Sequence, residues 1–174
     1  MKNITALLSF LILMTSTMLC AQAPLAFDKV QFNAGFGISD RGVPVYAGLD
    51  YGLTELISFG GEVQYSSFRE SWQGEDWKHS SFLVAMNSNC HFDELLNISS
   101  VYNVYAGIAL GFAMVASQPE KEEVVADYEG DQHSSLYYSV NLGNRYFFTE
   151  HIAANLQLGF GTTMTGRFGL SWLF

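Results

Sequence analysis

Residues 30–39 read VQFNAGFGIS, a stretch in which an apolar residue and a small or polar residue follow each other in turn. Val30, Phe32 and Phe36 lie on one face of an extended chain, and Gln31 and Asn33 lie on the other. This period of two is typical of a β-strand whose faces meet different environments. We therefore predict a strand over this stretch.

The same alternation recurs in seven later segments. They cover residues 45–52, 57–66, 82–92, 104–114, 136–146, 154–160 and 168–174. Segments of about ten residues match the length of a tilted strand that crosses the hydrocarbon layer of a membrane. The pattern thus predicts eight strands of membrane-spanning length.

Charge is sorted between the two faces of these strands. The apolar faces carry no charged residue, whereas the polar faces carry Asp50, Glu62, Arg145 and Arg167. A charge that faces lipid at mid-depth costs ~2–4 kcal/mol, while one in a polar lumen can be paired or wetted. We therefore expect an all-β fold, an eight-stranded antiparallel up-and-down transmembrane β-barrel with its apolar face toward lipid.

A soluble exported barrel of the lipocalin type is an alternative with the same alternation. Its polar face would meet water, and such faces normally carry Lys, Glu, Arg and Thr. The polar faces here carry mainly Gly, Asn, Ser and Gln, which suit a narrow interior better.

The N-terminus has the features of an export signal. Lys2 precedes an apolar core at residues 6–14, and small residues follow up to Ala23. We predict a signal peptide over residues 1–21, with cleavage after 23 as the alternative, and a barrel domain over 22–174. Cys20 leaves a lipoprotein as a further alternative, although Leu19 is larger than the residue that such a site prefers.

Composition excludes several classes of protein. The formal net charge is −9, which argues against a nucleic-acid partner. Cys90 is the one cysteine left after removal of the signal peptide, so the mature chain has no disulfide framework.

The connections predict which barrel end is which. Residues 53–56 and 149–151 form short turns, whereas 69–80 and 117–134 are predicted to be long polar loops. Short periplasmic turns and longer external loops are the rule for outer-membrane barrels. Aromatic residues also gather near the predicted strand ends, among them Tyr51, Phe59, Tyr65 and Phe68, as interface girdles do.

The end of the chain, residues 166–174, reads GRFGLSWLF and looks like the terminal strand of outer-membrane barrels. Leu170, Trp172 and Phe174 match the signal that the barrel assembly machinery reads. Residues 51–60 and 143–150 resemble turns in the OmpA/OmpX-like superfamily of small outer-membrane β-barrels. The resemblance implies an outer-membrane barrel with a narrow, largely filled interior, but no single activity.

The four polar-face charges are predicted to form a lumen network. Glu62 and Arg167 fall near mid-height, and Asp50 and Arg145 fall nearer the periplasmic turns. Uncompensated charges are costly in so narrow a lumen, so we expect pairing, with Glu62 meeting Arg167 across the interior. Such a barrel is not a general diffusion porin.

An enzyme acting on lipid A or phospholipid is the alternative function. Two His-x-Ser pairs carry it, His79 with Ser81 and His133 with Ser135, and Glu122, Glu123 or Glu129 would serve as the acidic partner. A lipid A deacylase built on an eight-stranded barrel uses a similar arrangement. Both pairs fall on the inward face, however, so we expect no enzymatic activity, no catalytic residue and no cofactor.

The external loops supply candidate contact residues. Trp72 and Trp77 in the predicted loop 69–80 are candidates, because an exposed Trp is costly without a partner. The acidic loop 120–131 matches no EF-hand spacing, and Cys90 with His91 has no ligand-like partner, so we expect no metal site. The expected role is structural or surface-interacting, for a monomer whose partners are outer-membrane lipid, lipopolysaccharide and the assembly machinery.

Overall fold

A computed structural model describes residues 27–72, 75–93, 96, 98–120 and 133–174. The strands are β1 (Val30–Ser39), β2 (Val45–Gly52), β3 (Ile57–Trp72), β4 (Glu75–His91), β5 (Tyr102–Pro119), β6 (Ser135–Phe147), β7 (Ile152–Gly161) and β8 (Thr165–Leu173). The predicted signal peptide and its cleavage site lie outside the described residues. No helix in the described ranges is long and apolar enough to cross a bilayer.

The eight strands form one closed sheet in chain order. Each strand pairs antiparallel with the next, and β1 also pairs with β8 to close the barrel. Closure leaves no strand edge within the spanning part, which is why a β-structure can exist in lipid at all. The predicted up-and-down β-barrel is confirmed.

Alternate residues of each strand point out or in, as the period of two predicts. Large apolar side chains on the outside are exposed, for example Ile38 at 76% and Leu136 at 62%, whereas Gln31, Asn103 and Arg145 on the inside are buried. A soluble barrel would show the reverse arrangement. The exposed apolar belt therefore rules against the lipocalin-like alternative and identifies a membrane-spanning wall.

At two positions the structure shows why glycine is required. Gly42 has φ +85° in the turn between β1 and β2, a left-handed conformation that glycine adopts without strain. Gly143 on β6 lies against the ring of Tyr105 on the neighbouring strand β5, where a Cβ atom would collide with that ring. The glycine makes room for an aromatic side chain that lies flat on the inner wall.

The predicted long loop over residues 69–80 is wrong. β3 continues to Trp72 and β4 begins at Glu75, so most of this stretch is a hairpin in register, with Arg69 opposite Lys78. Above the membrane no apolar outer face is required, so the hydrophobic alternation disappears while the hydrogen-bond ladder continues. We call residues 67–72, 75–80 and 116–119 the three-strand extension, since β5 rises beside β4.

Candidate functional site

Arg145 on β6 is the centre of a polar network in the periplasmic half of the lumen. Its Nη2 donates to Asp50 Oδ2 on β2 at 3.1 Å, and its Nη1 donates to Asn103 Oδ1 on β5 at 2.8 Å. The guanidinium also lies 4.1 Å from the ring centroid of Tyr105, within cation–π range. Asp50 accepts a second hydrogen bond from Asn33 Nδ2 at 2.9 Å. The structure thus brings the predicted residues Asp50 and Arg145 together.

The same network extends to the periplasmic turn through residues that the sequence did not single out as a cluster. Asn103 Nδ2 donates to Asp93 Oδ1 at 2.8 Å. The His91 ring lies between Ser58 Oγ, 3.0 Å from Nε2, and Asn103 Oδ1, 3.1 Å from Nδ1. Burial raises the pKa of the Asp93 carboxyl, and the hydrogen bonds that it accepts oppose this rise. The shared inward parity of Ser58, His91 and Asn103 was the one available sequence signal.

A second ion pair crosses the lumen at mid-height. Arg167 Nη1 donates to Glu62 Oε2 at 2.8 Å and Nη2 donates to Glu62 Oε1 at 3.0 Å, a bidentate arrangement. Nη2 also donates to Gln64 Oε1 at 2.8 Å, and the Tyr46 ring centroid lies 5.1 Å from the guanidinium. β3 and β8 are separated by β1 and β2, so this contact spans the interior. The structure brings together the two residues predicted to pair.

The inner wall beside Glu62, formed by β4, β5 and β6, differs in character. Leu83 and Ala85 on β4, Ala109 and Ala113 on β5, and Tyr137 on β6 form a buried apolar cluster that faces inward. A recess of mixed character lies at the external mouth, where Leu83, Ala113 and Tyr137 of this cluster meet the polar residues Ser39, Arg41, Gln64, Ser66, Ser81 and Thr163. In its external half the lumen is therefore lined by the ion pair of β3 and β8 on one side and by apolar side chains of β4, β5 and β6 on the other.

The external residues fall differently from expectation. Trp77 has inward parity and is 2% exposed, so its expected role as an exposed contact residue does not hold. Trp72 ends β3, but its side chain lies outside the described residues. Phe68 also points inward, where it stacks on His79 with ring centroids 5.0 Å apart, so it does not belong to the external girdle. The cause is the register of the extension, which sequence alone did not supply.

His79 is placed by this register beside another strand. Its Nδ1 lies 2.8 Å from Ser117 Oγ on β5, and its Nε2 lies 3.8 Å from Glu70 Oε2. The His79 side chain is fully buried within the extension. Ser135 begins β6 and His133 precedes it, whereas Glu122, Glu123 and Glu129 lie outside the described residues.

Metal ligands are not grouped in the described part of the chain. No set of three or more His, Cys, Asp or Glu side chains with metal-binding geometry occurs there. Of the acidic loop 120–131, Glu120 is described, and its Oε1 lies 3.2 Å from Arg69 Nε. The remaining residues of that loop lie outside the described ranges.

The terminal strand exposes the residues that resemble an assembly signal. Leu170, Trp172 and Phe174 all point outward, and the rings of Trp172 and Phe174 stack with centroids 6.1 Å apart. Phe174 N donates to Val30 O at 2.9 Å, which adds a last backbone contact to the seam between β8 and β1. The apolar face of β8 is thus presented at the point where the barrel closes.

Deletion of Phe174 is expected to reduce membrane assembly in cells by about tenfold, because the assembly machinery then recognises the terminal strand poorly. The purified chain folds without that machinery. Folding in detergent micelles should decline less, since the deletion removes one exposed ring and one hydrogen bond, ~1 kcal/mol by the usual value. Heat-modifiable migration after membrane fractionation measures the first effect, and urea titration measures the second. Equal losses in the two assays would show that Phe174 acts through packing alone.

Comparison with known proteins gives the fold. No family model matches the chain, and no curated protein matches it. The outer membrane protein OprG from Pseudomonas aeruginosa is similar in structure, with a TM-score of 0.62 at 10% identity over 88% of this chain and 98% of that one. The N-terminal β-barrel domain of Pseudomonas aeruginosa OprF has a TM-score of 0.55 at 14% identity, over 85% and 98%.

A third structure belongs to the same architectural group. Ail, the attachment invasion locus protein of Yersinia pestis, has a TM-score of 0.52 at 10% identity over 85% of this chain and 99% of that one. At such identities the likeness carries the fold and not the activity. The chain has the fold of small eight-stranded outer-membrane barrels, and the outer membrane is the location that this fold supports.

Proposed function

We propose that this chain, which has the fold of a small outer-membrane β-barrel, is a closed and non-enzymatic membrane protein with a structural or surface-interaction role. The observation that carries this proposal is the presence of two ion pairs across one narrow lumen. Asp50 with Arg145 and Glu62 with Arg167 join opposite walls at two different heights. A diffusing solute would have to pass both.

The energetics favour a lumen that stays closed. The side chains of Arg145 and Arg167 are 2% and 1% exposed. A buried charge that loses its partner costs several kcal/mol, so opening either pair is expensive. The interior of an eight-stranded barrel is also just wide enough for its own side chains to fill. Tyr105, Gln31, Asn103 and Asn155 occupy the periplasmic half as fully buried groups.

Planar bilayer recording tests whether the lumen is closed. The mature barrel is expected to produce no stable conductance steps, with a general diffusion porin in the same bilayer as the positive control. The double variant Glu62→Ala and Arg167→Ala is the matched comparison. It keeps the Asp50–Arg145 pair across the lumen, so it should also stay closed. Steady porin-like conductance of the unaltered barrel would contradict the proposal.

Cell fractionation tests the location separately. The mature protein is expected in the outer-membrane fraction, resistant to carbonate extraction and heat-modifiable in gels. Recovery in the soluble periplasm would contradict the outer-membrane assignment whatever the conductance result.

The absence of catalysis is part of the proposal. His79 lies near Ser117, but its side chain is fully buried and stacks on Phe68, whereas a nucleophilic site for lipid must open toward the membrane. Lipid A acylation should therefore be identical in strains that carry the unaltered protein, His79→Ala or Ser117→Ala. A change of acyl pattern with the unaltered protein alone would instead support the enzyme.

We further propose that the barrel is a monomer whose surroundings are outer-membrane lipid and lipopolysaccharide. The exposed apolar belt runs around all eight strands, so lipid alone is enough to cover it. The assembly machinery is the other proposed partner, at the strand that ends in Phe174.

A further inference from the structure

Arg41 differs from the other arginines of the chain, because its side chain has no acidic partner among the residues that the structure describes. The other three each contact a carboxylate, in the pairs Arg69 with Glu120, Arg145 with Asp50 and Arg167 with Glu62. Arg41 lies in the turn between β1 and β2, is partly buried and lines the recess at the external mouth. A partly buried cation without a counter-charge keeps its desolvation cost. A ligand with a negative charge would offset that cost.

The turn that carries Arg41 is held in place before any ligand binds. Ser39 Oγ accepts a hydrogen bond from Arg41 N at 3.1 Å and donates one to Gly42 O at 3.1 Å. Gly42 also packs on the β3 backbone, where a Cβ atom at this position would lie 2.7 Å from Ser67 O. The Arg41 side chain therefore extends from a fixed backbone, which lowers the entropic cost of binding.

The acidic side chains near the mouth do not line the recess. Asp40 precedes Arg41 in the turn, but it is exposed and forms no ion pair with Arg41. Glu62 lies below the recess, and both of its carboxylate oxygens accept hydrogen bonds from Arg167. Glu70 lies further out in the extension, where its carboxylate faces a histidine ring. Among the described lining residues, the charge of the recess is therefore the positive charge of Arg41.

The remaining polar lining consists of neutral groups that can donate hydrogen bonds. Ser66, Ser81 and Thr163 are 2%, 7% and 7% exposed, and each hydroxyl can donate one hydrogen bond to an anion. Hydroxyl donors beside a guanidinium suit a carboxylate better than a cation.

An apolar wall faces these donors. Leu83, Ala113 and Tyr137 line the same recess and are buried. Apolar lining with a small number of polar groups is typical of sites for small molecules. The recess is small and partly enclosed, so it suits a ligand with a short hydrocarbon chain.

We propose that the external mouth binds a short aliphatic monocarboxylate, whose carboxylate contacts the Arg41 guanidinium. Its hydrocarbon chain packs on Leu83, Ala113 and Tyr137. The ion pair at mid-height lies below the recess, so the ligand is held at the outer end of the lumen and does not pass through the barrel. The proposal rests on the proposed closed lumen, and it deepens the surface-interaction role by naming a class of ligand.

Titration of the folded barrel with sodium butyrate in nonionic detergent tests the site, with amide resonances followed by NMR. Saturable shifts are expected at Ser39, Arg41 and Gly42, with the millimolar affinity that a ligand of this size can reach. Arg41→Gln is expected to bind butyrate about tenfold more weakly, because it loses the hydrogen bonds between two charged groups. Heat-modifiable migration shows that each variant is folded before it is titrated.

Matched variants and ligands make the result specific. Lys29→Gln removes one positive charge at the periplasmic end and should leave the affinity within about twofold. Arg41→Lys keeps the charge without the planar fork and should bind with an affinity between those of the unaltered barrel and Arg41→Gln. Acetate, which lacks most of the hydrocarbon chain, should bind about fivefold more weakly than butyrate. Butylammonium, which has the same chain and the opposite charge, should give no saturable shift.

Three results would overturn the inference. They are the absence of saturable shifts with butyrate, equal affinity of the unaltered barrel and Arg41→Gln, and binding of butylammonium as tight as that of butyrate. Porin-like conductance would instead overturn the proposed closed lumen. A butyrate titration that still depends on Arg41 would then show that the failure concerns the lumen and not the site at its mouth.

Discussion

Replacement of Glu62 by alanine is expected to lower the free energy of unfolding by about 3–5 kcal/mol. The change leaves the Arg167 guanidinium with its Gln64 contact but without the two bonds to the carboxylate. A buried arginine that loses its counter-charge retains its full desolvation cost, whereas an exposed ion pair is worth ~0–1 kcal/mol. The size of the loss therefore also reports how dry the lumen is.

A double-mutant cycle isolates the pair. Glu62→Ala, Arg167→Ala and the double variant are unfolded by urea in the same lipid vesicles, with Glu62→Gln as the variant that keeps shape but not charge. The double variant should be less destabilised than the sum of the single variants by at least 1.5 kcal/mol, since contacting residues couple by about 0.5–3 kcal/mol. Additive losses would mean that the pair contributes no coupling energy.

Arg145→Ala is expected to have an effect of similar size, about 3–5 kcal/mol, for a different reason. Arg145 serves two acceptors on two strands, Asp50 and Asn103, and also covers the Tyr105 ring. Its removal leaves the Asp50 carboxylate buried without its ionic partner, although Asn33 still donates to it. It also leaves a space in the periplasmic half of the lumen.

Conservative variants separate charge from geometry at this position. Arg145→Lys keeps the charge but lacks the planar fork that reaches two acceptors, so we expect it to recover less than half of the lost stability. Asp50→Asn with Arg145→Met removes both charges and should unfold at a higher urea concentration than Arg145→Ala alone. Arg41→Ala at the external mouth is the control and should change the free energy of unfolding by less than about 0.5 kcal/mol. A loss of that small size for Arg145→Ala would contradict a buried network.

Features that depend on neighbouring residues in the chain could be predicted from the sequence. Features that depend on contacts between residues distant in the chain required the structure. Val63 outward and Gln64 inward could be assigned from the sequence, because alternation is a property of the extended backbone itself. The membrane strengthens this pattern, since outward positions exclude charge and are mostly apolar, whereas inward positions can be polar or charged. The number of strands, the inward or outward direction of their side chains and the identity of the four lumen charges could therefore be predicted from the local sequence pattern.

Above the membrane that local signal fails. Residues 69–80 lack apolar alternation, so they suggested a loop, although backbone hydrogen bonds continue the β3–β4 hairpin to Trp72 and Glu75. The same register turns Trp77 inward and places His79 beside Ser117. Pairing between strands depends on contacts distant in sequence, which a period of two does not encode.

The depth of an inward residue along its strand can be predicted from the sequence, whereas the residue that it contacts across the lumen cannot. The sequence by itself determined that Glu62 and Arg167 point inward at similar depth. Only the tertiary structure decided that the fork of Arg167 reaches Glu62 and Gln64, and that Arg145 connects Asp50 to His91 through Asn103. The physical reason is closure. The stagger at all eight strand pairs adds up around the barrel, and that sum sets which inward side chains meet.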